Sequence, residues 1–198
     1  MICCVIVANN RPDYLAHTLA SVREHHPTVE PVIVNDTFHN GMAFNVQKAW
    51  NVALNTDCDH VLHLEDDMVI LRPLPLAAAV RTLDHEPGLA QITFKREPWW
   101  GREVELGDQL AAICELSEYV KETPEFTIHD YIFSLNPCVI PRRVIELGWP
   151  SGPLGVGNET GMTDQLKRDG YRFAMWDHKG DPPYARHIGA QRGPEWKL

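Results

Sequence analysis

Three consecutive carboxylates, Glu65, Asp66 and Asp67, follow an apolar run over residues 60–64. Such a run is typical of a buried strand, which would carry the three acids to its carboxyl end. Adjacent carboxylates repel each other, and a hard divalent cation relieves that repulsion while leaving coordination positions for water and a diphosphate. The cluster therefore indicates a site for a hard divalent cation, whereas the alternative interpretation is a solvated acidic turn or helix cap.

Two adjacent tryptophans, Trp99 and Trp100, lie in a loop over residues 95–107 that also contains proline and glycine. In an enzyme that acts on carbohydrate, such indoles would stack on sugar rings or close over a bound ligand. They would equally serve to anchor a long loop on the core. Both interpretations stay open from the sequence.

The first part of the chain alternates buried strands with amphipathic helices. Continuous apolar runs predict strands at Ile2–Ala8, Pro31–Asn35 and 60–64. Helical spacing predicts helices at 15–22, Met42–Leu54 and 76–83. This βαβα order predicts an α/β fold with a mostly parallel sheet covered by helices on both faces. Ligands of such sheets bind at the carboxyl ends of the strands.

The second part of the chain is less regular. It predicts a strand at Leu89–Phe94, a helix at 108–120, one or two strands within 128–140 and a late strand at 171–176. Loops are predicted at 95–107 and 150–158, and residues 181–198 show no periodicity. Because no linker or repeat interrupts this order, we expect a single domain over residues 1–198.

Composition narrows the class of protein. The 198 residues are 44% hydrophobic and 23% charged, which is typical of an ordinary globular chain. Lysine and arginine total 18 against 27 acids, a net charge of −9, so a broad nucleic-acid footprint is not expected.

Cysteine usage and the opening residues bear on the compartment. The five cysteines are scattered, form no Cys-x-x-Cys pair and mostly lie in apolar runs, so they are predicted to be buried thiols in a reducing compartment. The opening apolar run is too short for a signal peptide, and no stretch approaches a membrane span. We therefore expect a cytoplasmic protein without a membrane span.

The order of these motifs resembles the nucleotide-binding half of the GT-A glycosyltransferases, of the family 2-like inverting type. The resemblance is carried by Asn10-Arg-Pro-Asp-Tyr-Leu15, Asp36 at a strand end, Ala49-Trp-Asn51 and Leu64-Glu-Asp-Asp67. It implies a Rossmann-like GT-A fold, with residues 1–70 binding the nucleotide and residues 89–189 forming the acceptor and catalytic half.

The resemblance also implies roles for the residues of the first half. The expected donor contacts are Ala8, Asn9, Arg11, Asp36, Asn51, Glu65 and Asp66. Asp67 takes the place of the direct ligand of Mn²⁺ or Mg²⁺, although Glu-Asp-Asp replaces the Asp-x-Asp of the family. Asp36 suits uracil, guanine or ribose equally, and its alternative interpretation is a turn former that ends a strand.

Two further parts of the resemblance lie in the second half. Residues 155–171 resemble an acidic motif before a short helix, which makes Glu159 the first candidate for the general base and Asp164 the second. The Tyr184–Gly189 segment resembles the C-terminal region that supplies a histidine ligand, here His187, with Arg186 beside it for the diphosphate. A surface histidine remains the alternative for His187.

Together these features predict a metal-dependent glycosyltransferase. It would move a sugar from a UDP- or GDP-linked donor to a hydroxyl of a saccharide, protein or modified nucleic acid, with inversion at the anomeric carbon. A nucleotidyltransferase of related fold is the rival enzyme, although its glycine-rich basic signature is absent after the first strand. A nucleotide-sugar-binding protein without turnover is the second alternative.

Overall fold

The computed structural model describes residues 1–38, 40–99, 101–150 and 159–189. The strands are β1 Ile2–Ala8, β2 Pro31–Asn35, β3 His60–Glu65, β4 Met68–Ile70, β5 Leu89–Phe94, β6 Val120–Glu122, β7 Phe126–His129, β8 Cys138–Pro141, β9 Arg172–Trp176 and β10 Ala185–His187. The helices are α1 Pro12–His25, α2 Met42–Leu54, α3 Leu76–His85, α4 Gly101–Leu106, α5 Gln109–Leu116, α6 Arg142–Ile145 and α7 Glu159–Arg168.

Eight strands form one sheet in the order β2-β1-β3-β8-β5-β9-β7-β6. Strands β1, β2 and β3 are parallel, as are β5 and β9. Strand β8 runs antiparallel to both of its neighbours, and β7 does the same between β9 and β6. Six of the eight strands therefore point in one direction, which confirms the mostly parallel sheet predicted from the sequence.

Each face of this sheet is covered by helices. On one face, the strands pack against α2, α6 and α7 around the fully buried Trp50 and Phe133. On the other face, α1 and α3 cover residues such as Ile6 and Leu64. The alternation of side chains along β1 explains the division, since successive residues of a strand point to opposite faces. Of the described helices, none has the length and apolar character needed to cross a membrane.

The strands β1, β2 and β3 end beside the residues for which the sequence predicted donor and metal contacts. Residues Ala8 and Asn35 are partners at the ends of β1 and β2, and Val7 pairs with Glu65 at the end of β3. The acids that follow β3 therefore lie beside the first loop. A second, two-stranded sheet joins β4 antiparallel to β10, with Met68 paired to His187.

The structure differs from the prediction in several places. The helix expected at 108–120 ends at Leu116, since the Tyr119 amide donates to the Asp130 carboxylate and the chain continues as β6. The loop expected at 95–107 contains the short helix α4. Strands β4 and β10 were not predicted, because a three-residue strand has too few residues to show periodicity.

The cysteine prediction holds for three of the five thiols. Cys4, Cys58 and Cys138 are buried, while Cys3 and Cys114 are only partly buried. All five cysteines are free.

Candidate active site

A cavity of about 290 Å³ lies at the carboxyl ends of β3 and β5. The half of its wall that comes from the first part of the chain includes Arg11, Met42, Glu65, Asp67 and Met68. The other half includes Arg96, Trp99, Glu103, Gln109, Ile113, Tyr131, Ile132, Ser134, Asn136, Glu159, His187 and Gly189. The cavity therefore brings together candidates that are far apart in the sequence.

Three candidate ligands converge at one point of this wall. One ligand atom from each of Glu65, Asp67 and His187 lies within 4.8 Å of the others. The His187 Nε2 atom is 3.6 Å from the nearest Asp67 oxygen. The pairing of β4 with β10 explains this convergence, and the Ile188 amide adds a hydrogen bond to the Asp67 carbonyl at 2.9 Å.

Gly189 makes room for the Asp67 carboxylate. A Cβ atom at this position would lie 2.2 Å from Asp67 Oδ2 and 3.0 Å from His187 Cε1. Since real Cβ contacts do not approach that closely, the backbone of residue 189 can lie against the carboxylate only if the residue is glycine. The tail thus closes tightly over the cluster.

Asp66 points away from the cavity and organises the first loop. Its buried carboxylate accepts hydrogen bonds from the Asn9 amide at 2.9 Å and from the Arg11 guanidinium, and its carbonyl accepts one from the Thr18 hydroxyl. The same Arg11 guanidinium reaches the Asp67 carboxylate at 2.8 Å. Arg11 is therefore shared between two carboxylates.

The cluster carries an excess of negative charge. Burial raises the pKa of Glu65 to about 8, and the neighbouring Asp67, Glu159 and Asp66 add to the rise, while Arg11 opposes it. A divalent cation would relieve this repulsion. The donor set of carboxylate oxygens and one imidazole suits Mn²⁺ or Mg²⁺, so the residues present fit the predicted metal.

Glu159 lies across the cavity at the start of α7. Its carboxylate accepts a hydrogen bond from the Leu135 amide at 2.5 Å, and the Thr163 hydroxyl ties the first turn of α7 to the Phe133 amide at 2.9 Å. Burial raises the pKa of Glu159, although the Leu135 amide, the Ser134 hydroxyl and Arg96 oppose the rise. Asp164 is exposed on the same helix and does not line the cavity.

Six expected donor contacts lie outside the cavity wall, namely Asp36, Asn51 and Arg186 as well as Ala8, Asn9 and Asp66. The buried Asp36 carboxylate accepts hydrogen bonds from the Asn40 and Gly41 amides, both at 2.9 Å. Burial would raise the pKa of Asp36, but these hydrogen bonds outweigh it and lower the value to about 2. Asn51 is exposed on α2, and the Arg186 guanidinium pairs with the Glu97 carboxylate at 2.6 and 2.8 Å.

The remaining predictions divide between the first loop, the tryptophans and undescribed residues. Ala8 is buried at the end of β1, where its carbonyl accepts the Asp36 amide. Trp99 lines the cavity, with its ring stacked on His187. Trp100 and residues 151–158 of the predicted loop lie outside the described residues.

The polar residues across the cavity from the acidic cluster were not predicted from the sequence. Arg96 donates to both carboxylate oxygens of Glu103, at 2.7 and 2.9 Å, and to the side-chain amide oxygen of Asn136 at 2.9 Å. The Arg96 amide donates to Gln109 at 2.9 Å. One signal could have found this wall, because Arg96 follows the apolar run of β5 just as the acids follow β3.

Comparison with known proteins supports the fold. No protein-family model matches the chain, and a search of curated proteins finds no match. Among solved structures, S. aureus TarS is 15% identical, with a TM-score of 0.62 over 95% of this chain and 37% of TarS. A TarS 1–349 complex with UDP is 14% identical, with a TM-score of 0.56 over 94% of this chain and 60% of that one.

A second kind of enzyme has a similar fold. A structure of CMP:2-keto-3-deoxy-manno-octonic acid synthetase complexed with CTP is 14% identical, with a TM-score of 0.52 over 88% of each chain. The structural neighbours thus have GT-A and nucleotidyltransferase folds, and the fold predicted from the sequence is confirmed. The chain spans less than two thirds of the length of the TarS structures.

Proposed function

We propose that this chain is a metal-dependent glycosyltransferase that moves a sugar from a UDP- or GDP-linked donor to a hydroxyl acceptor, with inversion. One observation carries the proposal: the Glu65, Asp67 and His187 cluster and the Glu159 carboxylate line one cavity at the carboxyl end of a GT-A sheet. The TarS complexes with UDP and with UDP-GlcNAc support a nucleotide-sugar ligand.

The donor half of the site would be formed by the first loop and the acidic cluster. Asp67 and His187 would hold Mn²⁺ or Mg²⁺, with Glu65 beside them. The bound cation would neutralise the diphosphate and make it a better leaving group. Arg11 lies at the same wall, where its guanidinium is paired with Asp66 and Asp67 and would hold these two acids in place.

Glu159 would act as the general base. As the acceptor oxygen attacks the anomeric carbon, the bond to the nucleotide diphosphate breaks and the hydroxyl proton passes to the Glu159 carboxylate. Burial suits this role, because a raised pKa makes the carboxylate a stronger base. A single displacement of this kind inverts the configuration of the sugar.

The acceptor would approach from the side of Trp99. One face of its indole covers His187, and the side chain is still 40% exposed, which leaves apolar surface for a sugar ring. We place the reaction in the cytoplasm, since five free thiols suit a reducing compartment.

A nucleotidyltransferase is the second candidate, favoured by the even coverage of the synthetase structure. Such an enzyme must hold a nucleoside triphosphate, which calls for cationic side chains available to phosphate. Among the described residues of the cavity wall, both arginines are already paired with carboxylates. The charge of the cavity therefore favours a diphosphate carried by a metal.

The two candidates differ in their products. Incubation with UDP- and GDP-sugars and Mn²⁺ should release nucleoside diphosphate slowly, even without acceptor, and EDTA should abolish the release. Incubation with CTP or GTP and a sugar acid or sugar phosphate should release no pyrophosphate. Pyrophosphate release would replace the transferase by the nucleotidyltransferase, and binding of nucleotide sugar without any turnover would leave a binding protein.

A further inference from the structure

The ring of Trp99 lies flat against the ring of His187. Their centroids are 3.9 Å apart, and the two planes differ by 20°. His187 itself is partly buried, with its Nε2 atom directed toward Asp67. The indole thus covers one whole face of the imidazole that we propose as a metal ligand.

The backbone of Trp99 is itself held by hydrogen bonds to neighbouring residues of the cavity wall. Its amide donates to Glu103 at 3.1 Å, and Glu103 accepts both terminal nitrogens of the buried Arg96. Arg96 is fixed in turn by Asn136 and by Gln109. This set of hydrogen bonds limits where the backbone of Trp99 can move.

The same segment is joined to the strand that carries His187. Residue Arg96 forms a parallel bridge with Ala185, and the Glu97 amide donates to the Ala185 carbonyl at 2.8 Å. Glu97 also pairs with Arg186. Residues 96–99 and β10 are therefore joined by three contacts, and the ring stack lies at the end of both segments.

We propose that Trp99 is a positioning residue for His187: its indole fixes the plane of the imidazole so that Nε2 faces the cation site beside Asp67. This inference rests on the proposed metal role of His187. Outer contacts that orient a histidine ligand change metal affinity although they never touch the metal. Here the orienting contact is a ring face, supplied by the segment 96–99 that is bridged to β10.

A double-mutant cycle tests the inference. Mn²⁺ binding is measured by electron paramagnetic resonance with UDP and, separately, with GDP, in wild type, Trp99→Ala, His187→Ala and the double variant. Trp99→Ala should weaken binding about 3- to 10-fold, the effect of one lost aromatic contact. His187→Ala should weaken it about 10- to 100-fold. The double variant should bind as His187→Ala does, because Trp99 acts only through the imidazole.

Two further variants separate positioning from folding. Trp99→Phe keeps a stacking ring and should bind Mn²⁺ within about threefold of wild type. Tyr119→Ala removes a comparably exposed aromatic, 38% accessible and outside the cavity wall, and should leave Mn²⁺ affinity unchanged.

The outcomes distinguish this inference from the proposed function. If His187→Ala weakens Mn²⁺ binding while Trp99→Ala binds normally, the metal role stands and the positioning role is wrong. Additive losses in the double variant would also overturn it, because Trp99 would then act by another route. If wild type binds no Mn²⁺ with either nucleotide, the proposed function fails and the inference fails with it.

Discussion

Two arginines line the same cavity, and their surroundings differ in charge balance. Arg96 is buried, and one carboxylate, Glu103, accepts both of its terminal nitrogens. Arg11 is shared between Asp66 and Asp67, and a third acid, Glu65, lies beside them. The Arg96–Glu103 pair, called the balanced wall below, therefore matches its charges one to one. The Arg11 cluster, called the unbalanced wall, places three acids around a single guanidinium.

This difference separates a structural ion pair from a site prepared for a ligand. In the Arg96 cluster, the side-chain nitrogens have acceptors within the protein, so nothing further is required of it. In the Arg11 cluster the acids repel each other, and this repulsion adds to the effect of burial in raising the pKa of Glu65. Repulsion of this kind destabilises the protein alone and favours binding of a cation. Variants in the two clusters should therefore respond in opposite ways.

The largest effect is expected at the proposed base, across the cavity from the unbalanced wall. Glu159→Gln should lower the transfer rate about 10²- to 10⁴-fold at unchanged donor affinity, because it removes the base and keeps the shape. Steady-state kinetics and calorimetry with donor would measure the two quantities. In wild type, the rate should fall as pH drops through the raised pKa of Glu159, since the protonated acid cannot accept a proton.

The matched control is Asp164→Asn, on the exposed face of the same helix, which should be nearly normal. If Asp164→Asn is inactive and Glu159→Gln is active, the two roles are exchanged and the cavity wall does not identify the base.

A substitution in the balanced wall should lower the stability of the protein. Glu103→Gln should lower the free energy of unfolding by about 3–5 kcal/mol, because it leaves the Arg96 charge buried without its partner. Urea unfolding in EDTA would measure it. The control is Glu115→Gln, whose partner Arg102 is exposed, and its cost should stay below about 1 kcal/mol. Equal costs for both would mean that burial does not distinguish the Arg96 pair.

A substitution in the unbalanced wall should change the free energy of unfolding in the opposite direction. In the folded protein the pKa of Glu65 is raised to about 8, whereas the ordinary pKa of a glutamate is 4.5. Stability of the metal-free protein should therefore fall as pH rises from about 4.5 to about 8, since the unfolded chain loses the Glu65 proton first. Glu65→Gln cannot titrate, and it should raise the free energy of unfolding by roughly 3 kcal/mol at pH 7 in EDTA.

Unfolding in urea at several pH values would measure this gain, and Mn²⁺ should reduce it by stabilising the wild type more than the variant. The exposed Glu24→Gln serves as the control and should show no such gain. A metal-free Glu65→Gln protein less stable than wild type would show that Glu65 is a structural acid like Glu103.

The unbalanced wall could be predicted from the sequence because its parts are local. A continuous apolar run places β3, and the acids at 65–67 follow it directly, so their position at the sheet edge needs no tertiary information. The first loop after β1 could be placed for the same reason. His187 needed the resemblance, since β10 exists only through its pairing with β4.

The balanced wall could not be predicted, because it is tertiary. Arg96 reaches Asn136 across 40 residues, and Glu103 lies on a one-turn helix within an apparent loop. Asp36 shows the converse limit. Its sequence context was consistent with both a donor contact and a turn former, and only the structure shows the carboxylate accepting the Asn40 and Gly41 amides.

The smallest effect tests how closely the tail must approach the unbalanced cluster. In Gly189→Ala, the added Cβ would lie 2.2 Å from Asp67 Oδ2, so either the carboxylate or the backbone of residue 189 must shift. Asp67 is held by Arg11 at 2.8 Å, and the shift should therefore disturb the contact with the metal more than the fold. We expect Mn²⁺ affinity to fall by about 3- to 10-fold, in line with the cost of disturbing a ligand's orientation. The free energy of unfolding in EDTA should change by less than about 1 kcal/mol.

Gly88→Ala is the matched control, because a Cβ there meets nothing within 4 Å, and it should leave Mn²⁺ affinity unchanged. Calorimetry with Mn²⁺ and nucleoside diphosphate measures both variants. If Gly189→Ala binds Mn²⁺ as tightly as wild type, then the tail does not press on Asp67 in the loaded protein. The close approach at residue 189 would then serve packing alone.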